Sequence, residues 1–233
     1  MTPRRNRVDP WGDLHSEPER GMFTGNRGCL LGDDGELRRH HRGSLWIICL
    51  TSYRGWNHPL DSPRVWTPLF FLDDAVALAA GHRPCGLCRR NDYLAYQRGV
   101  SQGRANGDGA NRDGAVDRPV LAGELNRRLQ VERLRRPQRG GARHSRGPHL
   151  ERARDRIVWS AQADSLPTGV VVIGENGEPH LVTERSLRPF SFGGWGQAIA
   201  RPTGGLMSVL TPPTSVAALS AGYQAQLHDS AMS

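Results

Sequence analysis

The sequence predicts an α+β fold, a small antiparallel sheet with short helices followed by a small β-rich module. Three observations predict it. Residues 45–50, Leu-Trp-Ile-Ile-Cys-Leu, form a continuous apolar run of strand length, the pattern of a strand covered on both faces. Asp73 and Asp74 precede the alanine-rich stretch 75–80 and Gly81 follows it, the cap and stop of a short helix. From Val158 onward, β-branched runs alternate with turns containing Gly and Asn.

In chain order, residues 1–20 are charged, carry Pro3, Pro10 and Pro18, and predict an arm or a strap along the surface. A compact unit is predicted over 21–98. Met22 and Phe23 lead into a turn-rich stretch at 25–28, and Gly32-Asp33-Asp34-Gly35 predicts a hairpin turn between two short strands. After the strand at 45–50 come a loop over 55–63, an apolar stretch over 65–72, the capped helix, and a further helix starting near 91–96. Residues 99–117, rich in Gly, Asn, Asp and Arg, predict a flexible linker. Within 118–156, Leu121, Leu125, Leu129 and Leu134 mark an amphipathic helix that gives way to an Arg-rich, low-complexity segment.

The last unit, 157–233, predicts a hairpin turning at 174–177 and further strands near 187–192 and 206–210. It ends in a helix capped by Thr214 or Ser215 and stopped by Gly222. Trp195, within Gly193-Gly194-Trp195-Gly196, is expected to cover a glycine-rich bend, with base stacking as the alternative. Residues 74–82, DAVALAAGH, echo 215–223, SVAALSAGY: each reads as a capped helical turn, a glycine stop and a ring residue.

Composition narrows the chemistry. The 233 residues are 37% hydrophobic with a formal net charge of +8, and the mean hydropathy is −0.56. No apolar run reaches the roughly 18 residues of a membrane span, so no membrane partner is expected. No apolar segment follows the basic first residues, so a cytoplasmic location is expected, where paired cysteines hold metal more often than they form disulfides. All 31 basic residues are arginine, which excludes a phosphate-loop lysine, a Schiff-base lysine and a lysine general base. There is no GxSxG, HExxH or helix-opening GxGxxG. No catalytic set is assembled by the remaining residues, and His40-His41 is expected to face water.

Cysteines occur at 29, 49, 85 and 88. Cys85-Gly86-Leu87-Cys88 has the two-residue spacing that turns two thiolates toward one metal. Cys49, at the end of the predicted strand, and Cys29, beside a glycine turn, complete a four-thiolate set, with His40, His41, His58 and His82 as possible substitutes. Four thiolates favour Zn2+, and such sites are closed and structural, so the fold class gains a zinc knuckle. The alternatives are a redox dithiol at 85–88 and a merely buried Cys49.

The run from Phe71 to Cys88, FLDDAVALAAGHRPCGLC, resembles the second half of the Ada-type metal-binding domain of bacterial methylphosphotriester DNA repair proteins. Ile47-Ile48-Cys49 resembles the strand carrying that family's first ligand cysteine. The resemblance spans about residues 45–90 and implies Cys49, Cys85 and Cys88 as ligands, with Cys49 matching the methyl-accepting cysteine. It departs at Tyr53, where the family has its second upstream cysteine, and Cys29 has no counterpart in it. The whole chain also resembles an uncharacterised bacterial protein family sharing the segments at 25–28 (GNRG), 81–85 (GHRPC), 210–213 (LTPP) and 221–223 (AGY).

Between Glu124 and Arg156, eleven arginines face four acids, nearly the whole excess charge. Arg127, Arg128, Arg133, Arg135, Arg136, Arg139, Arg143 and Arg146 are the candidates to contact a phosphate backbone, non-specifically and in a salt-sensitive way. The expected function is zinc binding with non-specific contact to nucleic acid, DNA in particular. One alternative is a thiolate-dependent alkyl acceptor using Cys49; another is a structural metal domain serving protein contacts.

Overall fold

The structure is a computed structural model that describes residues 3–32, 36–57, 66–105, 119–135 and 155–233. The fold is α+β, with two main sheets and four helices among these residues. The first sheet is built on β3 (Phe23–Asn26) and β4 (Ile47–Leu50), antiparallel in the register Thr24 to Cys49. Gly25 makes this pairing possible: a Cβ there would lie 2.1 Å from the Ile47 carbonyl oxygen. β7 (Leu69–Phe71) pairs with the other edge of β3, and β8 (Arg83–Pro84) runs parallel to β4.

The N-terminal segment is not a loose strap. β1 (Arg7–Val8) joins β7 in parallel and folds back on β2 (Leu14–His15), so the sheet order is β2-β1-β7-β3-β4-β8. Val8 and Leu14 supply the physical reason: they are 1% and 0% exposed, two apolar anchors among charges. The turn expected at 32–35 lies largely outside the described residues, though an antiparallel bridge from Leu31 to Leu37 frames it. Where the sequence suggests a loop from residue 55, β5 (Ser52–Tyr53) and β6 (Trp56–Asn57) form a hairpin. Its turn residues Arg54 and Gly55 both have positive φ, 53° and 76°.

Helix α1 (Asp74–Ala79) is capped as its sequence predicts: the Asp73 carboxylate accepts from the Val76 N–H at 3.1 Å, and Gly81 turns left-handed at φ 89°. Helix α2 (Arg90–Ala105) runs seven residues into the stretch read as a linker, with Val100 1% exposed. The glycines that suggest flexibility are packing contacts. A Cβ on Gly99 would stand 2.7 Å from the Ala218 carbonyl oxygen, and one on Gly103 2.9 Å from the Ala217 Cβ. They let α4 (Pro213–Ser220) lie directly against α2. Helix α3 (Ala122–Arg133) buries Leu125 and Leu129, while Leu121, at its N-cap, stays 72% exposed.

The second sheet runs β13-β12-β11-β10-β15-β9, with β14 (Ile199–Ala200) also on β12. β9 (Trp159–Gln162), β10 (Val171–Ile173), β11 (Pro179–Val182), β12 (Ser186–Ser191), β13 (Gly194–Trp195) and β15 (Leu206–Val209) are all antiparallel to their neighbours. Helix α4 starts at Pro213, a residue preset for a first helical turn. Thr214 and Ser215 do not cap it: Thr214 bonds the Glu132 carboxylate through its N–H and hydroxyl, and Ser215 meets the Tyr96 hydroxyl at 2.9 Å. The echo between residues 74–82 and 215–223 is a shared helix ending. His82 N–H donates to Ala77 at 2.9 Å and Tyr223 N–H to Ala218 at 2.9 Å, each one residue past a left-handed glycine.

One buried hydrophobic cluster runs through both sheets, from Val8 to Ala231. Polar contacts lock the halves at the head of α1. Asp73 accepts from the Trp195 indole at 2.6 Å and from the His228 N–H at 3.1 Å. Burial pushes its carboxyl up to about 6 even so. Asp74 holds Arg89 through two bonds, 2.5 and 2.8 Å, both side chains at most 1% exposed, and also accepts from the Gln226 N–H at 3.0 Å. Burial alone would lower the Arg89 pKa; the Asp74 bonds and charge reverse this, and the net shift is upward. Arg89→Met is expected to destabilise the fold by about 3–5 kcal/mol, because it leaves a buried carboxylate without its countercharge. Urea denaturation followed by circular dichroism measures it.

Candidate metal centre

Cys49 and Cys85 are brought together by strand pairing. β4 and β8 are parallel, with Ile47 opposite Arg83 and Ile48 opposite Pro84, so the next residues along the two strands are the two cysteines. The Cys85 N–H donates to the Ile48 carbonyl at 2.9 Å and fixes that register. From Cys85 the chain turns into α2, with Arg89 N–H on the Cys85 carbonyl at 3.2 Å and Tyr93 N–H on Arg89 at 2.9 Å. That turn presents Cys88 beside the other two.

The sulfurs of Cys49, Cys85 and Cys88 all lie within 4.8 Å of one another. Ligands about 2.3 Å from a tetrahedral ion stand about 3.8 Å apart, so the three fit a single metal. Backbone N–H groups support the sulfurs as they do in thiolate sites. Leu87 donates to Cys85 at 3.4 Å, Cys88 N–H also serves Cys85, and Leu50 N–H serves Cys88. The Cys49 and Cys88 thiols donate to Cys85 and hold its pKa well below the usual thiol range. The same bond to Cys85 raises Cys49. At Cys88 the Cys49 bond lowers the pKa, but Cys85 and burial outweigh it, and the shift is upward. Three converging sulfurs are a donor set that a thiophilic divalent cation could occupy.

The surroundings hold this geometry rigid. Arg83 is 4% exposed, stacks 5.1 Å from the Tyr93 ring, and bonds Asn126 of α3 at 2.9 Å. Arg89, next to Cys88, is held by Asp74 and by Asp92 at 2.8 Å, and lies 4.1 Å over the Phe23 ring. Neither arginine is marked by the cysteine spacing. The sequence signal for Arg89 is the pair of adjacent acids at 73 and 74, which read only as helix caps. Cys49 is 4% exposed, Cys85 8%, and Cys88 is partly exposed; none of the four cysteines is in a disulfide.

Cys29 is not part of the group. It lies after β3, and its thiol donates to the Leu31 carbonyl at 3.6 Å. His82 is also elsewhere, packed between Phe71 and Trp46 with ring centroids at 4.7 and 5.1 Å. His40 does not face water: it is 3% exposed, with Nε2 at 2.8 Å from the Gly12 carbonyl oxygen. His58 lies outside the described residues.

Of the arginines expected to contact phosphate, Arg127 and Arg135 are exposed and Arg128 pairs with Glu124. Arg133 is a correction. It is 0% exposed, stacked 4.1 Å over Trp46, with Nε on the Leu129 carbonyl at 2.8 Å, because α3 packs that face inward. Arg136, Arg139, Arg143 and Arg146 lie outside the described residues. Trp195 is 4% exposed and packs on Phe190, a core side chain rather than a stacking platform. No helix among the described residues is long and apolar enough to cross a membrane. No family model matches the chain, and neither does any curated protein or solved structure.

Proposed function

We propose that the protein binds Zn2+ through Cys49, Cys85 and Cys88, and that the ion is structural. The observation that carries this reading is the convergence of three sulfurs from two parallel strands and a helix-entry turn, within 4.8 Å of one another. The resemblance of residues 45–90 to Ada-type metal-binding domains supports the same three ligands. A zinc ion there would supply folding free energy by tying β4 to the start of α2. A reducing compartment such as the cytoplasm keeps such thiols available. The burial of Cys49 supports a holding role over alkyl acceptance, since an acceptor sulfur has to reach its electrophile.

Purified protein is expected to carry about one equivalent of zinc by elemental analysis. Cys85→Ser is expected to lose it and to melt at lower temperature, while Cys29→Ser keeps both metal and melting point. Zinc well below half an equivalent in protein purified without chelator contradicts the reading.

Contact with nucleic acid is the second part of the proposal, supported by the net charge of +8 and by the exposed Arg127 and Arg135. Affinity for random duplex DNA, read by fluorescence anisotropy, is expected to fall steeply with added salt. Each phosphate that the protein neutralises contributes about 0.9 to the steepness of the log–log salt slope. Arg127→Gln is expected to make that slope shallower by about this amount, whereas no binding at low salt removes this part of the proposal.

A further inference from the structure

A second polar cluster lies at the other end of the β4–β8 pair. Trp46, one residue before β4, and His82, one residue before β8, have ring centroids 5.1 Å apart. The Arg27 guanidinium lies 5.0 Å from the Trp46 ring and that of Arg133 lies 4.1 Å from it. Arg156 bonds the Arg133 carbonyl at 3.0 Å and the Leu210 carbonyl at 3.1 Å. Arg27, Arg133 and His82 are 0% exposed and Arg156 is 2% exposed.

The hydrogen bonding here is incomplete. Arg27 Nε and Nη2, Arg133 Nη1, Arg156 Nε and both His82 ring nitrogens are buried without a partner among the described residues. Charge is incomplete as well. Burial pushes Arg27 and Arg133 down to about 9 and Arg156 to about 10, and Arg27 and Arg133 are lowered further by neighbouring cluster arginines. Asp9 and Asp13 offset this in part at Arg27 and Arg156. Arg89 shows how the same chain buries a guanidinium when it is only structural. Two carboxylates clasp it, and its pKa rises. The Trp46 cluster buries three guanidinium groups and has no such clasp among the described residues. What it presents is a set of N–H donors with positive charge in a water-poor setting, the recognition chemistry of an oxyanion.

We propose that Arg27, Arg133, Arg156 and His82 form a buried binding site for a phosphate-class oxyanion. The planar guanidinium groups fork onto its oxygens, and a neutral His82 donates one ring N–H. An open cleft of about 450 Å3, lined by His41, Gly43, Ser44, Arg127, Gln130 and Val131, lies beside the cluster. Its wall is bonded to the cluster: Gly43 accepts from the Trp46 indole at 3.2 Å and Ser44 from Arg133 at 3.1 Å. A free phosphate and the phosphate end of a small ester present the same oxygens to such donors.

The test uses the full chain with its metal, in a buffer without phosphate or sulfate. Above the dissociation constant, tenfold more inorganic phosphate is expected to raise the folded-to-unfolded ratio about tenfold, read as a rising melting temperature; sodium chloride at matched ionic strength is the control. Adenosine monophosphate is run in parallel: a larger shift than with phosphate identifies an ester as the ligand, an equal one the free anion. Arg27→Gln is expected to abolish the response. If that variant does not fold, phosphate released from the denatured wild-type protein, purified from cells, decides: near one equivalent supports the site. No melting shift with either compound at about 10 mM, together with no released phosphate, overturns it.

Discussion

The buried pair of Asp74 and Arg89 is the constraint on which the rest of the structure depends. Asp74 sits in the first turn of α1, and Arg89 follows Cys88 directly at the entry to α2. Their bidentate contact therefore sets the distance between the capped helix and the cysteine turn. The same carboxylate accepts from Gln226, and its neighbour Asp73 accepts from Trp195 and His228. Two adjacent acids thus fasten the first sheet, the thiol cluster and the C-terminal segment at one point. Taking two charges out of water is unfavourable unless every lone pair and proton finds a partner, and here the partners come from four separate parts of the chain.

The second sheet is not an appendage that could be lifted away. Its helix α4 lies against α2 through Gly99 and Gly103, and Glu132 of α3 reaches the α4 backbone at Thr214. Tyr96 and Tyr223 meet edge to face with centroids 5.4 Å apart, one from each half. The shared hydrophobic cluster follows from these contacts. Each half alone would expose apolar side chains that the shared cluster buries.

Much of this is legible in the residues themselves. The cap at Asp73, the stop at Gly81, the hairpin at 174–177 and the strand holding Cys49 follow from local rules of backbone geometry, which act over a few residues. The grouping of Cys49 with the Cys85–Cys88 pair is legible as well, from the two-residue spacing of the pair and the placement of Cys49 at a strand end. What cannot be read is long-range. Nothing local distinguishes the glycines of a linker from Gly99 and Gly103, whose role emerges only when α4 arrives from more than a hundred residues away. Nothing local marks Arg133 as buried and Arg127 as exposed, since charged residues are mostly at the surface and only the packed face of α3 decides otherwise. Val8 and Leu14 are hidden for a similar reason: two apolar residues in a charged segment have no periodicity to reveal them.

The parallel pairing of β4 with β8 has a consequence for chain topology. Cys85 and Cys88 are close in the sequence and need only a turn to meet. Cys49 joins them only after the intervening segment, thirty-five residues from 50 to 84, has closed into a loop. Closing a loop of that length costs about 3 kcal/mol in chain entropy, and that cost falls on the pairing of two very short strands. The third sulfur therefore does more than complete a ligand set. A metal held by all three would cross-link the chain there and shrink the conformational freedom of its unfolded state, at a crossing that brings two distant strands side by side.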